Sequence, residues 1–257
     1  MRTETRLLGI ALCALVAASC GGDGKNGDGG TGGTGGTGGT GGTATSTVLG
    51  TVNTREAGAS RVPGATVTVY GTQISTTTNN NGEFILRDVP NGDVFFVSEA
   101  DGNWGTVDYY YVPEETEGQI IDLGVVPDGE ISALATSLGR SFSPSDGIVD
   151  VSFFPLRVGV QGAQGGETAS ISAPSDPPFT FDLAGNPVVA EAGVIADDEG
   201  YGELVYSSVM TADGPITAQV MGVAGVTVCQ VAETPGVTYP ILEKSITFVY
   251  ASCEPAL

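Results

Sequence analysis

The sequence predicts an all-β protein: two tandem antiparallel β-sandwiches of about seven strands each, behind a flexible Gly/Thr-rich linker. Three observations predict it. Apolar residues after position 45 recur with period two; clusters of Gly, Asn and Pro punctuate those runs at short intervals; and the second half echoes the first. The expected divisions are a leader at 1–19, a linker at 20–45, a first sandwich at 46–126, a connector with a short helix at 127–145 and a second, divergent sandwich at 146–257.

The leader begins with Arg2 and Arg6 and continues in an apolar run from Leu7 to Ala18. That run is too short to span a bilayer comfortably and suits a signal peptide that is removed on export. Cleavage after Ala18 by the small-x-small rule, with Val16 and Ala18, is one outcome. The other is carried by Ala17, Ala18 and Ser19 directly before Cys20, which resemble the lipobox of bacterial lipoproteins. In that family leucine usually stands where this chain has Ala17. The resemblance implies that the Cys20 thiol receives a diacylglycerol group, that Cys20 becomes the mature N-terminus, and that the protein is exported and anchored in the bacterial envelope, at the outer membrane.

Residues 21–44 hold no large apolar side chain, so nothing in them can be buried and the segment reads as a tether. A Gly-rich chain of that length has ends about 25–30 Å apart on average.

In the first sandwich Val48, Gly50 and Val52 alternate, then Ala65, Val67 and Val69 point one way while Thr66, Thr68 and Tyr70 point the other. Asn80, Asn81 and Gly82 supply a turn, Glu83 to Arg87 a strand, Val89 to Gly92 a second turn, and Val94 to Glu99 another strand. Gln119 to Val125 forms the last strand. The order Pro63-Gly64-Ala65, Asn80-Asn81-Gly82-Glu83-Phe84 and Val89-Pro90-Asn91-Gly92 resembles the carboxypeptidase regulatory-like domain over roughly residues 46–126. That resemblance implies a transthyretin-like, seven-stranded β-sandwich. It brings no peptidase chemistry, because no peptidase domain fits in this chain and no histidine is present to hold zinc.

The connector places Ile131, Leu134, Ala135 and Leu138 on one helical face, with Asp128 as the expected cap and Gly139 as the expected stop. In the second half Gly202-Glu203-Leu204 echoes Gly82-Glu83-Phe84, Val209 echoes Val89, and Gly214 echoes Gly92. Residues 147–153 take the part of the first strand and 165–172 that of the second, with an insertion at 172–193. This half resembles a divergent copy of the same fold, with a generic immunoglobulin-like sandwich as the rival.

Cys13 leaves with the leader and Cys20 is committed to lipid, so Cys229 and Cys253 remain. In an oxidising compartment two such thiols are expected to pair, closing a loop worth roughly 3–4 kcal/mol.

Acids outnumber bases 30 to 9, for a net charge of -21, which argues against nucleic acid as a partner. The absence of histidine removes imidazole-based triads, thiol–imidazole dyads and the usual zinc hydrolase sites. Carboxylate pairs of the glycosidase kind survive that exclusion. Asp197, Asp198 and Glu199 come nearest to a calcium loop, and an exposed turn explains them equally. No cofactor or metal is expected.

Trp104, Tyr109, Tyr110 and Tyr111, beside Asp108, Glu114 and Glu115, form the candidate binding surface. Alternation sets Tyr109 and Tyr111 on one face and Tyr110 on the other. Trp104, Tyr109 and Tyr111 are the candidate contacts for a glycan or a protein, the alternative being that these rings pack inside the sandwich. The expected function is therefore non-enzymatic: an envelope lipoprotein that presents its modules for adhesion or protein interaction, or an accessory carbohydrate-binding protein at the cell surface.

Overall fold

The computed structural model describes residues 44–56, 58–114, 117–156, 162–233 and 236–256. The leader, Cys20 and nearly all of the linker fall outside the described residues.

The first half contains β1 (Thr45–Thr54), β2 (Thr66–Val69), β3 (Ser75–Thr77), β4 (Glu83–Pro90), β5 (Gly92–Glu99), β6 (Asn103–Val112) and β7 (Glu117–Pro127), followed by α1 (Asp128–Ser137). The second contains β8 (Asp146–Pro155), β9 (Thr168–Ile171), β10 (Phe179–Phe181), β11 (Pro187–Val189), β12 (Gly202–Met210), β13 (Ala218–Met221), β14 (Thr227–Val231) and β15 (Ser245–Pro255). The protein is all-β in class, built from stacked sheets.

One long sheet runs through both halves in the order β3-β2-β5-β6-β15-β8-β12-β10-β11. On one face of its first part lies the small sheet β4-β1-β7, and between them Val48, Val67, Phe84, Leu86, Phe96 and Leu123 form a core. Alternation explains it: Val48, Val52, Ala65 and Val67 are fully buried while their sequence neighbours turn outward. The second part is covered by the pair β9-β13 with β14, over Val149, Val151, Phe153, Leu204, Tyr206 and Val249. A third cluster, Trp104, Val126, Ile131, Leu134, Phe179 and Phe248, fills the space under α1 and includes residues of both halves.

The pairing is mixed. β1 runs parallel to β7, β15 runs parallel to β8, and β15 also runs parallel to β6. Parallel neighbours need a long crossover, and the first and last strands of each half have a whole module between them. The two halves repeat one plan: β1 lies between β4 and β7 as β8 lies between β12 and β15, and β2 pairs β5 as β9 pairs β13. The echo of Val89 in Val209 extends to the backbone. Asp88 and Ser208, each one residue earlier, both take positive φ, at 59° and 54°, beside a register shift, and both valines are fully buried.

Three local expectations change. Val89 and Pro90 stay in β4, paired with Ser46 and Thr45, so the turn contracts to Asn91. Asp128 does not cap α1, because the helix leaves β7 directly with Pro127 at the N-cap, and the Asp128 carboxylate instead pairs with Lys244 at 3.0 Å. Gly139 does stop the helix, at φ 63°, with Gly139 and Arg140 N–H groups donating to the Thr136 and Ala135 carbonyls. The insertion at 172–193 contributes the hairpin β10-β11, which extends the shared sheet.

Candidate functional site: a carboxylate and aromatic floor where the halves meet

Trp104, Thr106, Asp108 and Tyr110 occupy one face of β6, two residues apart. The backbone that follows β1 carries Arg55 over Gly124 of β7, where no side chain blocks it, and its guanidinium reaches Asp108 at 2.7 Å. The same guanidinium carbon lies 4.3 Å from the centroid of the Phe248 ring on β15. Asp108 also accepts from the Thr106 hydroxyl at 2.6 Å, and Tyr250 Oη stands 3.4 Å away. A residue from each half therefore touches Asp108.

Beyond β15 the floor continues. Asp150 on β8 stands opposite Val205 of β12 and Phe248 of β15, and Ser152 stands opposite Glu203 and Tyr250. Period two turns Asp150, Ser152, Glu203, Phe248 and Tyr250 to this face, while Val149, Val151, Leu204 and Val249 face the core on the other. Phe154 meets Tyr250 edge-on at 6.2 Å.

Electrostatics follow from burial around one cation. Arg55 stays charged: burial is the largest single effect and opposes its charge, but the Asp108 carboxylate and the Tyr250 and Tyr110 oxygens together outweigh it. The Asp150 carboxyl is pushed up to about 7 by burial, with the Ser152 hydroxyl, at 3.2 Å, pulling the other way. Desolvation and then the proximity of Asp150 raise Glu203 well above the usual carboxylate range. Burial likewise raises the Tyr250 and Tyr110 phenols. Chemically the floor sets the Arg55–Asp108 ion pair beside two carboxyls, Asp150 and Glu203, that release their protons less readily than exposed acids, among aromatic rings.

The sequence-derived candidates divide. Trp104 is 4% exposed and packs with Val126, Ile131 and Leu134, so it cannot stack on a ligand; its face of β6 is the one that α1 covers. Tyr110 packs edge-on to Phe96 at 5.8 Å and donates to the Asp122 carbonyl. Tyr109, half-buried, packs edge-on to Phe95 at 5.6 Å and donates to Asp93. Tyr111 is 60% exposed on the same face as Tyr109. Cys229 and Cys253 are directly opposite in the β14-β15 ladder and joined as a disulfide. Asp197 closes a turn, accepting the Glu199 and Tyr201 N–H groups, and no group of three or more possible metal-ligating side chains occurs among the described residues. No helix among them is long and apolar enough to cross a membrane.

Asp108 was legible as an acid beside the tyrosines, but Arg55, Asp150 and Glu203 were not placed with it. The one local signal was an aspartate inside the apolar run of β8.

No protein-family model matches the chain, and no curated protein matches it. Among solved structures it is similar to the shaft pilin of Lactobacillus rhamnosus GG, at 14% identity over 81% of this chain and 99% of that one, with a TM-score of 0.26. It is similar also to a family 26 carbohydrate-binding module from Eubacterium rectale in complex with maltoheptaose, at 9% identity over 82% and 97% of the two chains and a TM-score of 0.26. A mutant type II cohesin–X-dockerin complex from Acetivibrio cellulolyticus matches 36% of this chain and 73% of its own, at 18% identity and a TM-score of 0.26. Likenesses at that TM-score carry no argument about function.

Proposed function

We propose that this chain is a non-enzymatic lipoprotein of the bacterial envelope, held at Cys20 by acyl chains in the outer membrane, that presents a stiff double β-sandwich for adhesion or protein interaction. In this reading the first half is a carboxypeptidase regulatory-like module and the second its divergent copy. The observation that carries it is the shared sheet: β15 of the second half pairs with β6 of the first, and Arg55 stands buried between them. Two modules so joined move as one body, which suits display at the end of a tether. The tether enters at Ala44, whose carbonyl accepts the Asn91 N–H at 3.1 Å. By the strand directions the turns at Gly64, Gly82 and Gly102 lie at the end of the first half opposite the tether.

The experiment is detergent phase partitioning of the protein from its native membrane. Wild type enters the detergent phase and Cys20→Ser stays in the aqueous phase; wild type in the aqueous phase contradicts the anchor.

A second reading, carbohydrate binding, is favoured by one observation, the exposed Tyr111 ring. Retention on polysaccharide that is lost in Tyr111→Ala supports it, and the absence of retention in wild type removes it.

A further inference from the structure

The meeting point of the halves holds more acid than base. Facing one another there are Arg55 from the end of β1, Asp108 and Tyr110 from β6, Tyr250 from β15, Asp150 from β8 and Glu203 from β12. The hydrophobic cluster alongside contributes Phe179 from β10 and Ile131 and Leu134 from α1, none of which titrates. The charges at the end of α1, Asp128 and Lys244, neutralise each other. Arg55 pairs with Asp108 at 2.7 Å; its charge also favours the ionised forms of Asp150 and Glu203, but one cation balances only one carboxylate. Asp150 is 2% exposed, and the hydrogen bond it accepts comes from the neutral Ser152 hydroxyl. Glu203 stands diagonally across the β8-β12 ladder from it. With both carboxyls protonated the junction carries only the balanced Arg55–Asp108 pair. Removing the Asp150 proton puts a second anion into a low-dielectric interior whose one cation already holds a carboxylate, with the half-buried Glu203 beside it.

We propose that Asp150 and Glu203 form a proton-operated latch between the two halves, closed while they hold their protons and loosened when they lose them. The geometry says what would open. Beside the Arg55–Phe248 and Tyr250–Asp108 contacts, the backbone contact between the halves is the short β6–β15 ladder, Gly105 to Val107 against Ser245 to Thr247, with the Gly105 N–H donating to the Lys244 carbonyl at 2.9 Å. That ladder is short and lies next to the charged floor, so it is the weak seam of the shared sheet. The raised carboxyls put the transition in the neutral range, where an extracellular protein meets real changes of acidity. The latch is independent of the lipid anchor, and its test does not involve it.

Two reporters are built in. Trp104 is the one tryptophan of the chain and is buried beside the seam, so its emission reads water entry there. The Gly105 amide crosses the seam, so its hydrogen exchange, corrected for the intrinsic pH dependence, reads opening. The experiment follows both in the folded full chain from pH 5 to pH 9, in wild type, Asp150→Asn and Glu203→Gln. The expected wild-type result is a red shift of Trp104 emission and a Gly105 opening constant that rises by up to about tenfold per pH unit through the neutral range for each proton released. In Asp150→Asn, a neutral near-isostere of the protonated acid, both changes vanish; in Glu203→Gln they are reduced. Wild-type signals that stay flat across the range overturn the proposal. So does a rise that persists unchanged in both variants. Should Asp150→Asn fail to fold, the wild type and Glu203→Gln still decide.

Discussion

Arg55 is bound to Asp108 at 2.7 Å while its guanidinium covers the Phe248 ring, so a single side chain ties the first half to the second. The pair is nearly sealed from water, with side-chain exposures of 10% and 1%. Arg55→Ala leaves a buried carboxylate without its cation and is expected to cost about 3–5 kcal/mol. Urea denaturation measures it. The double variant Arg55→Met with Asp108→Leu should recover most of that loss, since it removes both charges together. A double variant no more stable than Arg55→Ala would show that shape, and not charge balance, governs the site.

The Cys229–Cys253 bridge crosses two paired strands and fixes the C-terminal end of β15 to β14. Its loop, with a sequence separation of 24, corresponds to roughly 3–4 kcal/mol in the chain-entropy account. Cys229→Ala with Cys253→Ala should lower stability by that amount and speed amide exchange most at the end of β15. Equal stability with and without the bridge would mean that the ladder alone holds the strand.

Stability should fall as pH rises across the acid-to-neutral range. Asp150 titrates near 3.8 when exposed and near 7 when folded, so between those values the native chain keeps a proton that the unfolded chain has lost. The contribution is full below about pH 4 and is lost as pH rises through about 7, at up to about 1.4 kcal/mol per pH unit. Subtracting the Asp150→Asn stability profile from that of wild type isolates this slope. A difference that rises with pH would contradict the burial argument.

Gly50 sits in β1 where an added Cβ would overlap the Ile121 carbonyl oxygen and the Phe84 ring. Its φ is not unusual, so the constraint is space alone. Gly50→Ala is expected to destabilise by about 1–3 kcal/mol through overpacking, and pairing it with Phe84→Leu should relieve part of the loss. Thermal melts of the single and double variants check both statements.

The strands were legible where a local period carries them. Val48, Val52, Ala65, Val67 and Val69 face the core as their alternation requires, and the Val89–Val209 echo holds down to the shared positive φ of the preceding residues. The cysteine pair was legible by elimination of the other two thiols. What the sequence did not carry is which strand neighbours which across the halves. The pairing of β6 with β15 joins residues well over a hundred positions apart, and no turn or period encodes it. Hence Trp104 stood among the candidate contacts although α1 covers it, and nothing in the sequence brought Arg55, Asp150 and Glu203 together. Asp128 failed as a helix cap for a local reason, since α1 leaves β7 directly with Pro127 at its N-cap, but its ion pair was equally hidden. Its partner Lys244 comes from the far end of the chain.

The account rests on the two halves being one body, and equilibrium unfolding tests that most directly. Trp104 emission, which reports the seam, and far-UV circular dichroism, which reports all strands, should trace a single coincident transition in urea at pH 6. Two separated transitions, with Trp104 exposed before most of the β signal is lost, would contradict it.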